Sequence, residues 1–81
     1  MNGRTEKSAR FARNLKAYAQ KRRVTPKQIE NLCNATRQDV RSWMQGTGMP
    51  TTEQLVMLAV IFGTTVDELV GDNSKRKNDV R

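Results

Sequence analysis

The sequence of 81 residues contains no histidine and one cysteine, and these two shortages remove most enzyme chemistry at once. Without His there is no side chain that ordinarily titrates near neutral pH, so no pH switch in a binding surface is expected. Cys33 alone closes no internal disulfide and builds no multi-cysteine metal site; its place on an apolar stripe assigns it to the core. No Gly-rich phosphate cradle is present, and no set of acids stands at metal-ligand spacing. Glu53, Asp67 and Glu68 fit helix starts, where the positive dipole end favours acids. A non-enzyme without cofactor or metal is therefore expected. Long apolar runs are missing too: the longest, residues 55–62, falls far short of the ~20 residues that span a bilayer. The N-terminus has no signal-peptide stretch, so the expectation is a soluble cytoplasmic protein with one modest core and no membrane partner.

Lys and Arg are absent from residues 46–71, where three acids leave a charge of −3. The net +7 comes from elsewhere: residues 1–45 hold eleven bases against three acids, a surplus of eight, and residues 72–81 hold four against two. The positive field belongs to the first half, and a polyanion is its natural partner. Anionic lipid and acidic protein also match clustered positive charge, which does not name its ligand.

Within the basic half, residues 25–46 read as two short helices joined by a tight turn. Thr25 is an N-cap, Pro26 fills the first helical position where its missing N–H is harmless, and Gln28 can reach back to the cap. Ile29, Leu32 and Cys33 recur at helical spacing, and Asn34 tolerates the left-handed conformation at a helix end. Thr36 with Asp39 opens a second helix, whose stripe of Val40, Trp43 and Met44 ends at Gly46. Away from that stripe lie Arg37, Gln38, Arg41, Ser42 and Gln45. Such a face suits base edges in a major groove, where Arg pairs bidentately with guanine and Gln with adenine. It is equally what an ordinary surface helix shows.

Before this pair, Phe11, Leu15, Tyr18 and Ala19 mark the apolar face of a basic helix beginning at about Thr5 or Ser8. A basic amphipathic helix also suits a membrane surface or a partner groove, but two capped helices follow it at once, which favours a bundle. After the Gly and Pro breakers of residues 46–50, Thr51 with Gln54 opens a fourth helix. Its run is as short as a buried strand, yet the cap, the closing Gly63 and the Met, Leu and Ala content favour helix. Leu55, Leu58, Ala59 and Phe62 are assigned to the core. Met57 and Val60, with Val56 and Ile61, are then surplus apolar surface, most simply a homodimer seam. Thr65 caps a last short helix ending at Gly71. The expected organisation is a flexible basic arm (1–7), an all-α, compact five-helix domain with a helix-turn-helix (8–71) and a disordered basic tail (72–81).

Over residues 11–71, this order of elements resembles the helix-turn-helix domain of the Cro and phage-repressor family of transcription regulators. Leu15 and Tyr18, Val24 and Thr25, Thr36, Arg37, Val40 and Trp43 carry the likeness, followed by the turn at residues 46–50, by Leu55, Leu58, Ala59 and Phe62 before Gly63, and by the run Val66, Asp67, Glu68, Leu69. The resemblance implies that the third helix enters the major groove of double-stranded DNA. By position, Arg37, Gln38 and Ser42 then fall on bases, with Arg41 and Thr36 beside them. Family members usually hold phosphate through a Gln where this chain has Pro26, so the clamp passes to Thr25, Lys27 and Gln28, with Gln45 as a further contact. An Arg–Glu pair of the family is replaced here by Ala19 and Met44, an apolar substitute for an ion pair. Thr47, Gly48 and Met49 offer no positive side chain to phosphate, which predicts a salt slope shallower by about 0.9 for each phosphate left without a cation. Where the family has Ala, this chain has Glu30, which either ties up Arg37 or Arg41 or points outward.

The implied function is a sequence-specific, double-stranded DNA-binding transcription regulator, a repressor, working as a homodimer of bacterial or phage type. The alternative is an antitoxin-like protein-interaction module in which the weakened DNA face yields to a protein partner on the fourth helix. The chain ends soon after the expected fold, so no ligand-sensing domain and no small-molecule ligand are expected.

Overall fold

Five threonines start five helices, and this repetition sets the frame of the fold. The computed structural model describes residues 5–71. The arm before Thr5 and the tail at residues 72–81 lie outside them. Five helices follow in order: α1 (Glu6–Arg22), α2 (Pro26–Cys33), α3 (Arg37–Gln45), α4 (Thr52–Phe62) and α5 (Val66–Val70). Thr5, Thr25, Thr36, Thr51 and Thr65 are their N-caps, each with extended backbone and a side-chain oxygen that accepts the N–H three residues on. In the first four, the side chain at that third position also accepts the threonine's own N–H, so two orphan donors are satisfied together. Since Thr5 is a cap, residues 5–7, read from sequence as part of the arm, belong to the start of α1.

The far ends are equally regular. Arg23, Asn34, Gly46 and Gly63 adopt the left-handed conformation with φ of 59°, 54°, 82° and 67°. After each of them the chain returns an N–H to the carbonyl five residues back: Val24 to Ala19, Ala35 to Glu30, Thr47 to Ser42 and Thr64 to Ala59, all at 2.9–3.0 Å. A left-handed Arg23 costs about 1 kcal/mol, offset by the carbonyls it helps to cap.

Between these closed ends the apolar stripes meet in one core. Phe11, Leu15, Ile29, Leu58 and Leu69 have no exposed surface, and Val40, Trp43, Phe62 and Cys33 join them. Burial pushes the Cys33 thiol up from its ordinary value of 9.0, as desolvation of a thiolate requires. Residues 55–62 are helical, which removes the strand alternative. Two of the sequence assignments shift. Leu32, grouped with Ile29 and Cys33, is exposed, because the eight-residue α2 meets the core through Ile29 and Cys33 on one line and Leu32 falls to its side. Ile61, grouped with the surplus surface, packs partly onto the core, while Val56, Met57 and Val60 stand out from it.

Polar cross-links fix helix ends to neighbouring helices. The Ser8 hydroxyl, almost fully buried, donates to the Gly46 carbonyl at 2.7 Å and so ties the start of α1 to the end of α3. Asn14 donates its amide toward the carbonyls of Glu68, Leu69 and Gly71, at 3.3, 2.8 and 3.2 Å, closing α5. The hydroxyls of Tyr18 and Thr64 bond at 3.0 Å, and the Tyr18 ring stacks on Phe62. These ties leave the outward side of α3 uninvolved. Among the described residues no helix is long and apolar enough to cross a membrane.

Candidate nucleic-acid interface

The third helix is held from behind. Val40 and Trp43 are buried, Met44 is half-buried against the core, and α3 packs on both α1 and α2. At its start Thr36 accepts the Asp39 N–H at 3.0 Å while the Asp39 carboxylate accepts the Thr36 N–H at 3.2 Å. The Gly46 carbonyl at the other end is the one that Ser8 holds. Four of the candidate base readers, Thr36, Arg37, Gln38 and Arg41, are exposed. Ser42 is half-buried because the following turn folds back on it: a Cβ on Gly48 would stand 3.2 Å from the Ser42 Cβ. Glycine permits that approach. A larger residue would press on the same side chain.

Alongside, α2 brings the candidate phosphate contacts. Thr25 and Gln28 are bound to each other, with the Gln28 oxygen accepting the Thr25 N–H at 2.9 Å and the Thr25 hydroxyl oxygen accepting the Gln28 N–H at 3.2 Å. This leaves the Gln28 NH2 group outward, while the Thr25 oxygen is occupied within its own helix start. Lys27 and Gln45 are exposed. Lys27 is the cationic residue of the set.

Glu30, whose role the sequence left open, ties up neither arginine. Its carboxylate lies 3.9 Å from the Lys27 ammonium, one turn along the same helix. Arg37 and Arg41 have no ion pair or side-chain hydrogen bond among the described residues. The apolar pair is also accounted for, since Ala19 is buried and Met44 packs against the core. In the turn after α3, Met49 packs on the core and Thr47 is exposed, so the segment meets solvent without a positive charge. The α1 bases Arg13, Lys16, Lys21 and Arg22 are exposed, as is Arg23 at its end, whereas Arg10 is paired with Glu6 at 3.2 Å.

Sequence reasoning missed Ser8, which positions the site without belonging to it, and Asn14, which closes α5. Ser8 had a legible signal, because it stands three residues after Thr5, but the usual third-position residue is Glu or Gln. Asn14 had none beyond a polar residue at the margin of an apolar stripe. Among the described residues no three His, Cys, Asp or Glu side chains converge as metal ligands.

A five-helix bundle that presents a short, doubly capped third helix beside a second one defines a helix-turn-helix domain of the transcription-regulator class. The comparison with solved structures agrees. The chain is similar to the solution structure of the SOS-response transcriptional repressor LexA from Eubacterium rectale, with a TM-score of 0.78 and 25% sequence identity. The match covers 85% of this chain and 73% of that one. No known protein family's sequence profile matches the chain, and no curated protein sequence matches it.

Proposed function

We propose that the protein is a Cro- or phage-repressor-type regulator that binds double-stranded DNA sequence-specifically and represses transcription. In this reading α3 lies in the major groove. Arg37 pairs with guanine, Gln38 with adenine, Ser42 contacts a base at the depth its half-burial allows, and Thr36 and Arg41 flank them. Lys27, the Gln28 amide and Gln45 hold phosphate, with Thr25 serving mainly to fix Gln28. The observation that carries the reading is that Arg37 and Arg41 extend from a helix secured at both ends and have no side-chain partner among the described residues. Two unpaired guanidinium groups on a rigid frame are built to meet acceptors from outside.

The protein acts as a homodimer in this reading, and the exposed apolar residues Leu32, Val56, Met57 and Val60 support that part. They support equally a second reading, an antitoxin-like module that holds a protein partner on α4. Selection from random duplexes followed by sequencing, with a salt titration of the winning sequence, tests the first reading. A two-fold symmetric motif and steep salt dependence are expected. Selection that enriches no motif, with binding indifferent to salt, rejects it.

A further inference from the structure

The groove between α2 and α3 is open, and three of the proposed DNA contacts, Arg37, Arg41 and Gln45, belong to its lining. It forms a cleft of about 340 Å³ whose two walls are i, i+4 ridges: Pro26 and Glu30 on α2, and Val40 with Met44 and Arg37 with Arg41 on α3. Pro26, Met44 and the almost fully buried Val40 are its apolar lining. Arg37, Arg41 and Glu30 line it as well, and the carboxylate does not close onto either guanidinium, because the ammonium of Lys27 is its only ion-pair partner among the described residues. Two positive groups of the lining stand against one negative one, and that one is already engaged by Lys27 outside the cleft. The volume lies at the small end of the range for organic ligand sites.

We propose that this cleft binds a small organic anion with an apolar body, of the aromatic carboxylate or sulfonate kind, and that the bound anion excludes DNA. The ring lies on Met44, Val40 and Pro26, and the anionic group takes Arg41 and Arg37 at the rim. The exclusion follows from use of the same two arginines, and this clause rests on the DNA reading above; the binding itself does not. An anion of this class would release the protein from its site, giving the domain a means of control within its own helix-turn-helix.

Anilinonaphthalene sulfonate has the required chemistry and serves as the probe. The experiment is an amide NMR titration of the full chain, paired with a duplex-binding assay at rising probe concentration. Saturable shifts centred on Lys27, Glu30, Arg41 and Met44 are expected, with duplex affinity falling as the cleft fills. Arg41→Gln should weaken the probe about ten-fold, the loss of one charge-assisted hydrogen bond. Glu30→Gln should tighten it by roughly three-fold, as removal of a nearby like charge does. Shifts centred on Leu32, Met57 and Val60, or none that saturate below millimolar probe, overturn the site. Saturation in the cleft without any loss of duplex binding overturns the exclusion. Clean cleft binding by a protein that selects no duplex would sustain the site while removing the DNA reading, so the two failures are distinct.

Discussion

Replacing Ser8 with Ala tests how α3 is held. The Ser8 hydroxyl accepts the Thr5 N–H at 2.8 Å and donates to the Gly46 carbonyl at 2.7 Å, with the Thr5 hydroxyl and carbonyl oxygen each a further 3.1 Å contact. The Thr5 end is exposed, so water replaces the first bond at little loss. The Gly46 end is buried, and its carbonyl would be left without that donor, a loss of about 1 to 3 kcal/mol. A total of about 2 kcal/mol is therefore expected for Ser8→Ala, a fall in Tm of roughly 8 to 16 °C for a domain of this size. Thr5→Ala is the control. It removes the hydroxyl that accepts the Ser8 N–H at 3.0 Å but leaves the Gly46 bond in place, and should cost about 1 kcal/mol. Urea unfolding followed by helical circular dichroism measures both. Amide exchange at Gly46 and Thr47, whose N–H groups close α3, should quicken in Ser8→Ala more than in Thr5→Ala. If Ser8→Ala costs less than about 0.5 kcal/mol, the buried bond contributes nothing, and the account of how α3 is anchored is refuted.

Three further outcomes are expected. Arg37→Ala should lose about 1 to 3 kcal/mol of specific duplex binding in gel shifts, with non-specific binding almost unchanged; an equal loss on both would put Arg37 on phosphate. Thr47→Lys adds a positive charge to the uncharged turn after α3, and should steepen the plot of log affinity against log salt by about 0.9; an unchanged slope would place the turn away from the backbone. Met57→Glu, at an exposed position among apolar neighbours, should abolish self-association in sedimentation while leaving the Tm within a few degrees; an unaltered sedimentation profile moves the seam off α4.

How legible the fold was depends on how local its instructions are. Thr25 with Gln28, Thr36 with Asp39 and Thr51 with Gln54 announce helix starts within four residues, and each closes in space as the spacing implies. Ser8 was obscure because its second partner, Gly46, lies 38 residues away. Leu32 illustrates a different limit. Periodicity sorts residues to a broad face, but a helix of eight residues touches the core along a narrow line, and only the packing partners decide which apolar residue falls outside it. The same holds for Ile61 and Val60, adjacent residues with different fates. Glu30 could not be read because its choice among Lys27, Arg37 and Arg41 is a matter of ångströms. The exposure of Arg37, Gln38 and Arg41 on α3 followed more readily, since Val40 and Trp43 leave a helix little freedom in what it turns outward.

The way α3 is bounded has a consequence for change over generations. Its starting residue is locked to Asp39, its last carbonyl to a different helix, and its inner side to the common core, so nothing that keeps the rod in place depends on Arg37, Gln38, Arg41 or Gln45. Those four positions can be rewritten together without the molecule having to find another way to fold; on the proposed DNA reading, that is how a new preferred sequence would be acquired.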